Sequence, residues 1–348
     1  RQIIEDKTIE QIGEFRSIIE EHIDARLDSY WASPRGQLPI QTHLHALFRA
    51  LKESLEFLDL VSKIKLDNEK SWKDIFDKYY QEFYKIDQSY RKYYEWAIQV
   101  PKGWDVLEKL SERIENFYIN KYLYSLSANW NSLVAPDGEI DNWNMGLVPS
   151  QYSFHDRFIR PLLRGKVKRR IYVLISDAFR YESAYELFDQ LNRTPKLKTE
   201  ISPMLGVVPS YTALGMASLL PHKEITYNKD QVLVDGKSTS GILNRSKILE
   251  SYNGIALDYQ SALKLKKDEG REKFRDCELI YIYHNDIDAT GDDAQSELDT
   301  FPAVKRAIND LSELIRKIIN SWNGSNILIT TDHGFLFQQS PVDETDKS

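Results

Sequence analysis

Four short segments in the second half of this 348-residue chain close apolar runs with side chains that can bind cations or attack phosphorus. They are Ile171 to Asp177 (IYVLISD), Pro209 to Thr212 (PSYT), Leu279 to Asp292 (LIYIYHNDIDATGD) and Ile327 to Gly334 (ILITTDHG). Asp177, Asp288, Asp292 and Asp332 offer carboxylate oxygens, His333 offers an imidazole nitrogen, and Thr212 offers a hydroxyl. Their order along the chain suits a two-metal phosphoester site, where paired dications stabilise the entering and the leaving oxygen of an in-line displacement. No single segment is decisive, and the four together carry the functional reading.

Each of these residues also has a plainer use. Asp177 follows a buried-looking strand just before a helix that begins near Arg180, where an acid caps free backbone N–H groups. Thr212 precedes the small-residue helix Ala213 to Leu220, where a hydroxyl is a good N-cap. The same position offers free N–H groups and a positive helix end to a phosphate. A threonine hydroxyl is a poor nucleophile until a metal or base helps remove its proton, and Ser210 is the reserve. Asp288 and Asp292 are four apart, so on a helical turn they face one direction and can share a cation. With His284, Asp286 and Asp293 close by, the block reads equally as an acidic surface loop. Asp332 and His333 gain weight from the strand before them and Gly334 behind. Gly236-Lys237-Ser238-Thr239 looks like the end of a P-loop, but Gln231 stands where that motif requires glycine, which argues against a nucleotide-binding loop.

The elements that must position these groups change character along the chain. Up to about residue 130 apolar residues recur at three and four, as in Ile9, Ile12, Phe15, Ile19 and Ile23, or Leu44, Leu47, Leu51, Leu55 and Leu58. That spacing predicts helices packed as a bundle or array. The aromatic residues from Trp72 to Trp104 fit either the core of that bundle or a base-stacking surface. Turn residues collect at Pro136 to Gly138 and Asn142 to Gly146, giving a helical domain over 1–150 and a second domain over 151–348. The basic run Arg164 to Arg170 suits a phosphate, a partner or a solvated lead-in to the next strand.

After residue 170, short β-branched runs alternate with amphipathic helices. Strands are predicted over Ile171–Ser176, Lys198–Met204, Gln231–Val234, Leu279–Tyr283 and Ile327–Thr330. Helices are predicted near Tyr181–Asn192, Ala213–Leu220, Asn244–Tyr252 and Ala294–Trp322. The alternation predicts an α/β domain with a largely parallel sheet and flanking helices, preceded by an all-α domain. Ligands of such sheets gather beyond the carboxyl ends of the strands, which is where the acidic residues fall.

Composition narrows the class. Apolar residues make up 41% and charged residues 28%, as in ordinary globular chains, and the net charge of −7 argues against nucleic-acid binding through overall positive charge. The single cysteine, Cys277, cannot form an internal disulfide. No apolar run approaches the roughly 18 residues of a membrane span, and the first residues have no apolar signal core. A cytoplasmic protein without membrane contact is expected. With no initiator Met and a polar last stretch from Pro341 to Ser348, the chain reads as a piece of something longer, with parts of the site missing.

The four blocks resemble the PglZ domain family, a branch of the alkaline phosphatase superfamily found in bacterial phage-exclusion (BREX) systems. The matching text is Ser176 to Glu182 (SDAFRYE), Pro209 to Pro221 (PSYTALGMASLLP), Tyr283 to Asp292 (YHNDIDATGD) and Thr331 to Phe335 (TDHGF). The resemblance covers about residues 170–338 and implies an alkaline phosphatase-like core, truncated at its C-terminus. It implies that Asp177, Asp332 and His333 hold one metal, Zn²⁺ or alternatively Mn²⁺ or Mg²⁺, with Thr212 as nucleophile toward phosphorus. Asp288 and Asp292 would serve a second metal. The sequence departs from the phosphodiesterase-like pattern, which commonly has His where Asp292 stands and a further His downstream. Arg180 is a candidate for a phosphate oxygen, or else a surface residue on a first helical turn. The implied activity is a metal-dependent phosphoric ester hydrolase of a phage-defence system, with other BREX proteins as partners and a phosphoester as substrate. The alternatives are a metal-dependent nuclease acting on DNA and a catalytically silent scaffold.

Overall fold

The structure, a computed structural model, describes residues 9–35, 38–66, 69–102, 104–135, 148–165, 170–195, 197–229, 231–292 and 299–339. The turn clusters at Pro136 to Gly138 and Asn142 to Gly146, most of the basic run after Arg164, Asp293 and the last polar stretch lie outside those residues. The chain divides into two compact units, one of helices that precede residue 141 together with residues 337–339, and one between residues 148 and 336.

In the first unit, helices span Ile9–Leu27, Pro39–Ser62, Trp72–Lys78, Tyr84–Ala97, Glu108–Asn116 and Tyr124–Val134. The three-and-four spacing is realised as buried stripes: Ile12, Ile19 and Ile23 on the first helix, and Ala46, Ala50, Leu51, Leu55, Leu58 and Val61 on the second. The aromatic stretch supplies core. Tyr84, Tyr90, Tyr93 and Tyr94 are buried, so these rings offer no face to a base. Their hydroxyls need partners once desolvated. Tyr90 and Tyr94 donate to Glu115 at 2.7 and 2.9 Å, while Tyr79 and Tyr118 donate to Asp87 at 2.7 and 2.9 Å.

The second unit contains seven strands among its described residues: β1 (Ile171–Ser176), β2 (Ile225–Asn228), β3 (Gln231–Val234), β4 (Lys237–Ser238), β5 (Gly254–Asp258), β6 (Leu279–His284) and β7 (Asn326–Thr330). Four of them form a parallel sheet in the order β5-β6-β1-β7. The register aligns Ser176 with His284 and Ile175 with Thr330, so the carboxyl ends of β1, β6 and β7 share one rim. Both faces are covered, which explains why β1 is a continuous apolar run. Tyr172 and Leu174 pack toward the helices Tyr181–Asn192 and Thr300–Trp322, whereas Ile171, Val173 and Ile175 pack toward Leu214, Met216 and Ala217 of the helix Thr212–Ser218.

Two sequence expectations are corrected here, and one strand of the parallel sheet is new. Lys198–Met204 is extended but carries no strand ladder; the nearest pairing is a lone bridge between Ser150 and Leu205. Pro203 removes a donor such a ladder would need. Gln231–Val234 is a strand, but of a separate antiparallel sheet, β2-β3-β4. Its β3-β4 turn has Asp235 and Gly236 both at positive φ, the hairpin geometry that an Asp-Gly pair favours, and this is the structural use of the glycine in the false P-loop. The sheet's edge strand β5 was not expected, because five residues starting at Gly254 carry little apolar signal of their own.

Candidate metal centre

Asp177 leaves β1 and the chain turns sharply, with Ala178 in the left-handed region at φ 58°. A non-glycine residue held there stores backbone strain that the surroundings must offset. The compensation is visible in two bonds across the sheet rim. The Ala178 N–H donates to Asp332 Oδ1 at 3.4 Å, and the Phe179 N–H donates to Thr331 Oγ1 at 3.0 Å. The turn therefore ties the end of β1 to the end of β7. Asp177 does not cap the following helix, whose N-cap position is Arg180.

His333 sits among the acids. Its Nε2 lies 3.2 Å from Asp177 Oδ1, 3.5 Å from Asp332 Oδ2 and 3.7 Å from Asp288 Oδ1. Its Nδ1 lies 2.8 Å from the Gly334 carbonyl, an acceptor, so Nδ1–H donates there and Nε2 faces the cluster, where its lone pair becomes available to a cation once its proton leaves. Ligand atoms of Asp177, Asp332 and His333 all fall within 4.8 Å of one another. Asp177 Oδ1 and Asp332 Oδ2 are buried and accept no hydrogen bond; the imidazole is near enough to Asp177 for an ion pair but poorly aligned for a hydrogen bond. Two orphaned carboxylate oxygens and an imidazole nitrogen converging on one point fit a divalent cation.

Thr212 is the first residue of its helix and Tyr211 occupies the cap position, so the hydroxyl is not spent on capping. It lies 3.0 Å from His333 Nε2 instead. The structure thus brings Asp177, Thr212, Asp288, Asp332 and His333 together. Asp286 to Gly291 is a short helix, and the Asp292 N–H bonds to the Asp288 carbonyl. Asp292 therefore follows Asp288 by one helical turn and acts on the centre through it, helping to raise the Asp288 carboxyl after burial and Asp177. Ser210 is exposed, and Thr212 is the hydroxyl that reaches the cluster.

Arg180 is not a surface residue: it is buried, donates to the Phe335 carbonyl at 3.3 Å and to Glu182 at 3.2 Å, and lies 4.7 Å over the Phe335 ring. With those contacts it fixes the loop after His333. Two further residues escaped the sequence reading. The Gln151 side-chain amide donates to the carbonyls of Thr331 and Asp332 at 2.9 and 2.7 Å and accepts from the Val207 N–H at 2.8 Å. No local pattern marks it. Gly215 did leave a signal, since glycine inside a helix costs stability and needs a packing reason. A Cβ there would lie 2.9 Å from the Asp332 Cβ and closer still to its carbonyl oxygen. Gly215→Ala should therefore displace Asp332 and weaken metal binding by about tenfold or more, in line with loss of a supporting group. Gly13→Ala, in open space on a helix, is the control that should leave metal titration unchanged.

Electrostatics give the centre a pH signature. Burial, then the neighbouring Asp177, hold the Asp332 carboxyl well above the usual carboxylate range. His333 is pushed up to about 9 by its contact with Asp177, against burial, with Asp332 adding to the rise. Both shifts favour bound protons in the folded, metal-free chain. The His333 contribution is fully present below its unfolded value of 6.5 and is lost as pH rises through about 9. The Asp332 shift has the same sign, because a protonated native carboxyl loses its advantage as pH rises. The thermal midpoint of chelator-treated protein should fall between pH 6.5 and 9, and a bound divalent cation should shrink that fall. Thermal melts across that range, with and without metal, check it.

Among the described residues no helix is long and apolar enough to cross a membrane. A family model described as the BREX system PglZ alkaline phosphatase-like domain matches residues 154–348. The alkaline phosphatase-like protein BrxZ of Escherichia coli O9:H4 (strain HS) is 39% identical over 356 aligned positions, covering 100% of this chain and 40% of its own length. The alkaline phosphatase-like protein PglZ of Bacillus cereus (strain H3081.97) is 34% identical over 339 positions, covering 97% of this chain and 38% of its own length. The chain thus spans about two fifths of the length of these relatives.

Proposed function

We infer, for a chain that belongs to the BREX system PglZ family of alkaline phosphatase-like domains, that its rim of acids around His333 is a metal-dependent phosphoester hydrolase centre. The observation that carries this reading is the meeting of Asp177, Asp332 and His333, with two orphaned carboxylate oxygens and with His333 Nε2 3.0 Å from a hydroxyl that caps nothing. A purely structural rim has no use for that convergence.

Asp177, Asp332 and His333 would hold one cation, Zn²⁺ by the family resemblance or else Mn²⁺ or Mg²⁺, which the carboxylates also suit, and Asp288 with Asp292 would serve a second. Bound cations lower the pKa of a nearby hydroxyl and neutralise oxygens on phosphorus. Thr212 Oγ1 gives up its proton to solvent and forms the new bond to phosphorus as the ester bond opposite it breaks, and the departing alkoxide takes a proton from solvent to leave as the alcohol. Water then adds to the phosphothreonine, the Oγ1–phosphorus bond breaks, and Thr212 recovers its proton as phosphate departs. The Nδ1–H bond to Gly334 keeps the His333 ring fixed through both halves. The Ala178 and Gln151 contacts hold Asp332 in place.

The setting we propose is a cytoplasmic phage-defence assembly with other BREX proteins as partners. Acid quenching of metal-loaded protein during turnover, followed by peptide mass spectrometry, tests the chemistry. Phosphate on Thr212 is the expected result; phosphate on Ser210 would transfer the nucleophile, and neither modification during steady turnover would exclude a covalent route.

A further inference from the structure

We propose that His284 is a positioning residue whose ring, bonded on one side to Ser176 and on the other to Asp310, sets the spacing between Asp177 and Asp288 and so builds the second cation position. The proposal rests on the hydrolase reading and concerns how that same centre is assembled. His284 ends β6 opposite Ser176, the last residue of β1, and its carbonyl accepts the Asp177 N–H at 2.8 Å. Asp177 comes directly after Ser176, and Asp288 comes one helical turn after His284. The ring therefore stands between the two chain ends that deliver these carboxylates.

His284 is buried, at 4% exposure, yet both ring nitrogens have partners. Nε2 lies 3.3 Å from Asp310 Oδ2 on the helix Thr300–Trp322, and Nδ1 lies 3.1 Å from Ser176 Oγ. A carboxylate only accepts, so the neutral ring gives its Nε2–H to Asp310 and its Nδ1 accepts the Ser176 hydroxyl hydrogen. The Tyr259 ring meets the imidazole edge-on at 4.9 Å and holds its plane. Serine, histidine and aspartate are linked in the order of a hydrolase triad, but Ser176 has no exposed surface and cannot meet a substrate. The three residues therefore join two strand ends to a helix.

The same helix holds Asp288 a second time. One turn before Asp310, Arg306 donates to Asp286 at 2.9 Å and to Thr290 at 3.4 Å, both on the short helix Asp286–Gly291 that carries Asp288. Ile287 of that short helix is buried in one core with Val304, Ile308 and Leu311. So short a helix does not hold its place alone, and Asp288 takes its position from the long one. Asp332 and the turn after Asp177 have ties of their own, through Gln151 and the Ala178 N–H. Loss of the clamp should therefore act on the second cation and spare the first.

Calorimetric titration of the full chain with Mn²⁺ tests this. Wild type is expected to take up two equivalents. Asp310→Ala should weaken the second by about 10-fold to 100-fold, the range in which loss of a supporting residue acts, and leave the first nearly unchanged. Asp310→Asn should restore the second, because its amide oxygen still accepts the Nε2–H. His284→Asn, too short to reach Asp310, should behave as Asp310→Ala does. The electron paramagnetic resonance signal of two neighbouring Mn²⁺ ions, coupled in wild type, should become that of an isolated ion in Asp310→Ala. Wild-type uptake of both equivalents by Asp310→Ala, equal weakening of both, or a single equivalent in wild type would each overturn the clamp and leave the hydrolase reading standing. Uptake of no cation by wild type would overturn the hydrolase reading and the clamp with it.

Discussion

Replacing Thr212 with alanine is expected to lower phosphoester turnover by roughly four to six orders of magnitude, the upper end being the scale on which removal of a nucleophile acts. Metal content should stay at the wild-type level. The separation follows from the geometry. Thr212 contributes one hydroxyl 3.0 Å from His333 Nε2, while the three groups that enclose the cation position lie elsewhere. Stability should barely change, because the cap position belongs to Tyr211 and no cap bond is lost. Thr212→Ser should recover part of the rate, since it restores an oxygen at the same place. Turnover that survives Thr212→Ala would remove this residue from the chemistry and point to a direct attack by water.

Asp332→Asn should have the opposite profile, losing metal first and activity as a consequence. The amide can still accept the Ala178 N–H, so the turn after β1 keeps its support. What disappears is one buried negative charge among Asp177, Asp288 and Asp332. Affinity for a divalent cation should fall by more than about 100-fold, beyond what loss of a supporting residue costs. In chelator-treated protein the same change relieves a carboxylate that burial and Asp177 destabilise, so the thermal midpoint near pH 8 should hold steady or rise. A variant that binds metal as tightly as wild type would place the cation elsewhere.

Much of the fold around this candidate centre could be read from the chain because the residues proposed as ligands follow apolar strand runs that leave a strong local mark. Ile171 to Ile175 and Leu279 to Ile282 are apolar at nearly every position, as sheet strands covered on both faces must be, and Asp177 and Asp288 follow in the turns beyond them. The long helix ending at Trp322 was legible for the same reason. What was hidden depends on contacts remote in sequence. Gln151 looks like any polar residue until the carbonyls it holds, 180 and 181 positions away, are in place. The extended run before Met204 has the alternation of a strand and lacks only a neighbour to pair with, which no local pattern reports. Arg180 reads from the sequence as a phosphate contact or as a surface residue on a first helical turn, but Glu182 and the Phe335 carbonyl draw it inward.

The pairing of β1 with β7 has a consequence for biosynthesis. Ala178 and Asp332 are 154 positions apart, and β7, which leads to the latter, is the last in chain order of the four strands in the described sheet. A nascent chain still on the ribosome would display Asp177, Thr212 and Asp288 without the imidazole or the second orphaned oxygen, and so would have little hold on a cation. Contacts of such long range form late in folding. On the hydrolase reading proposed above, the cation site should therefore close in a single late step rather than build up gradually.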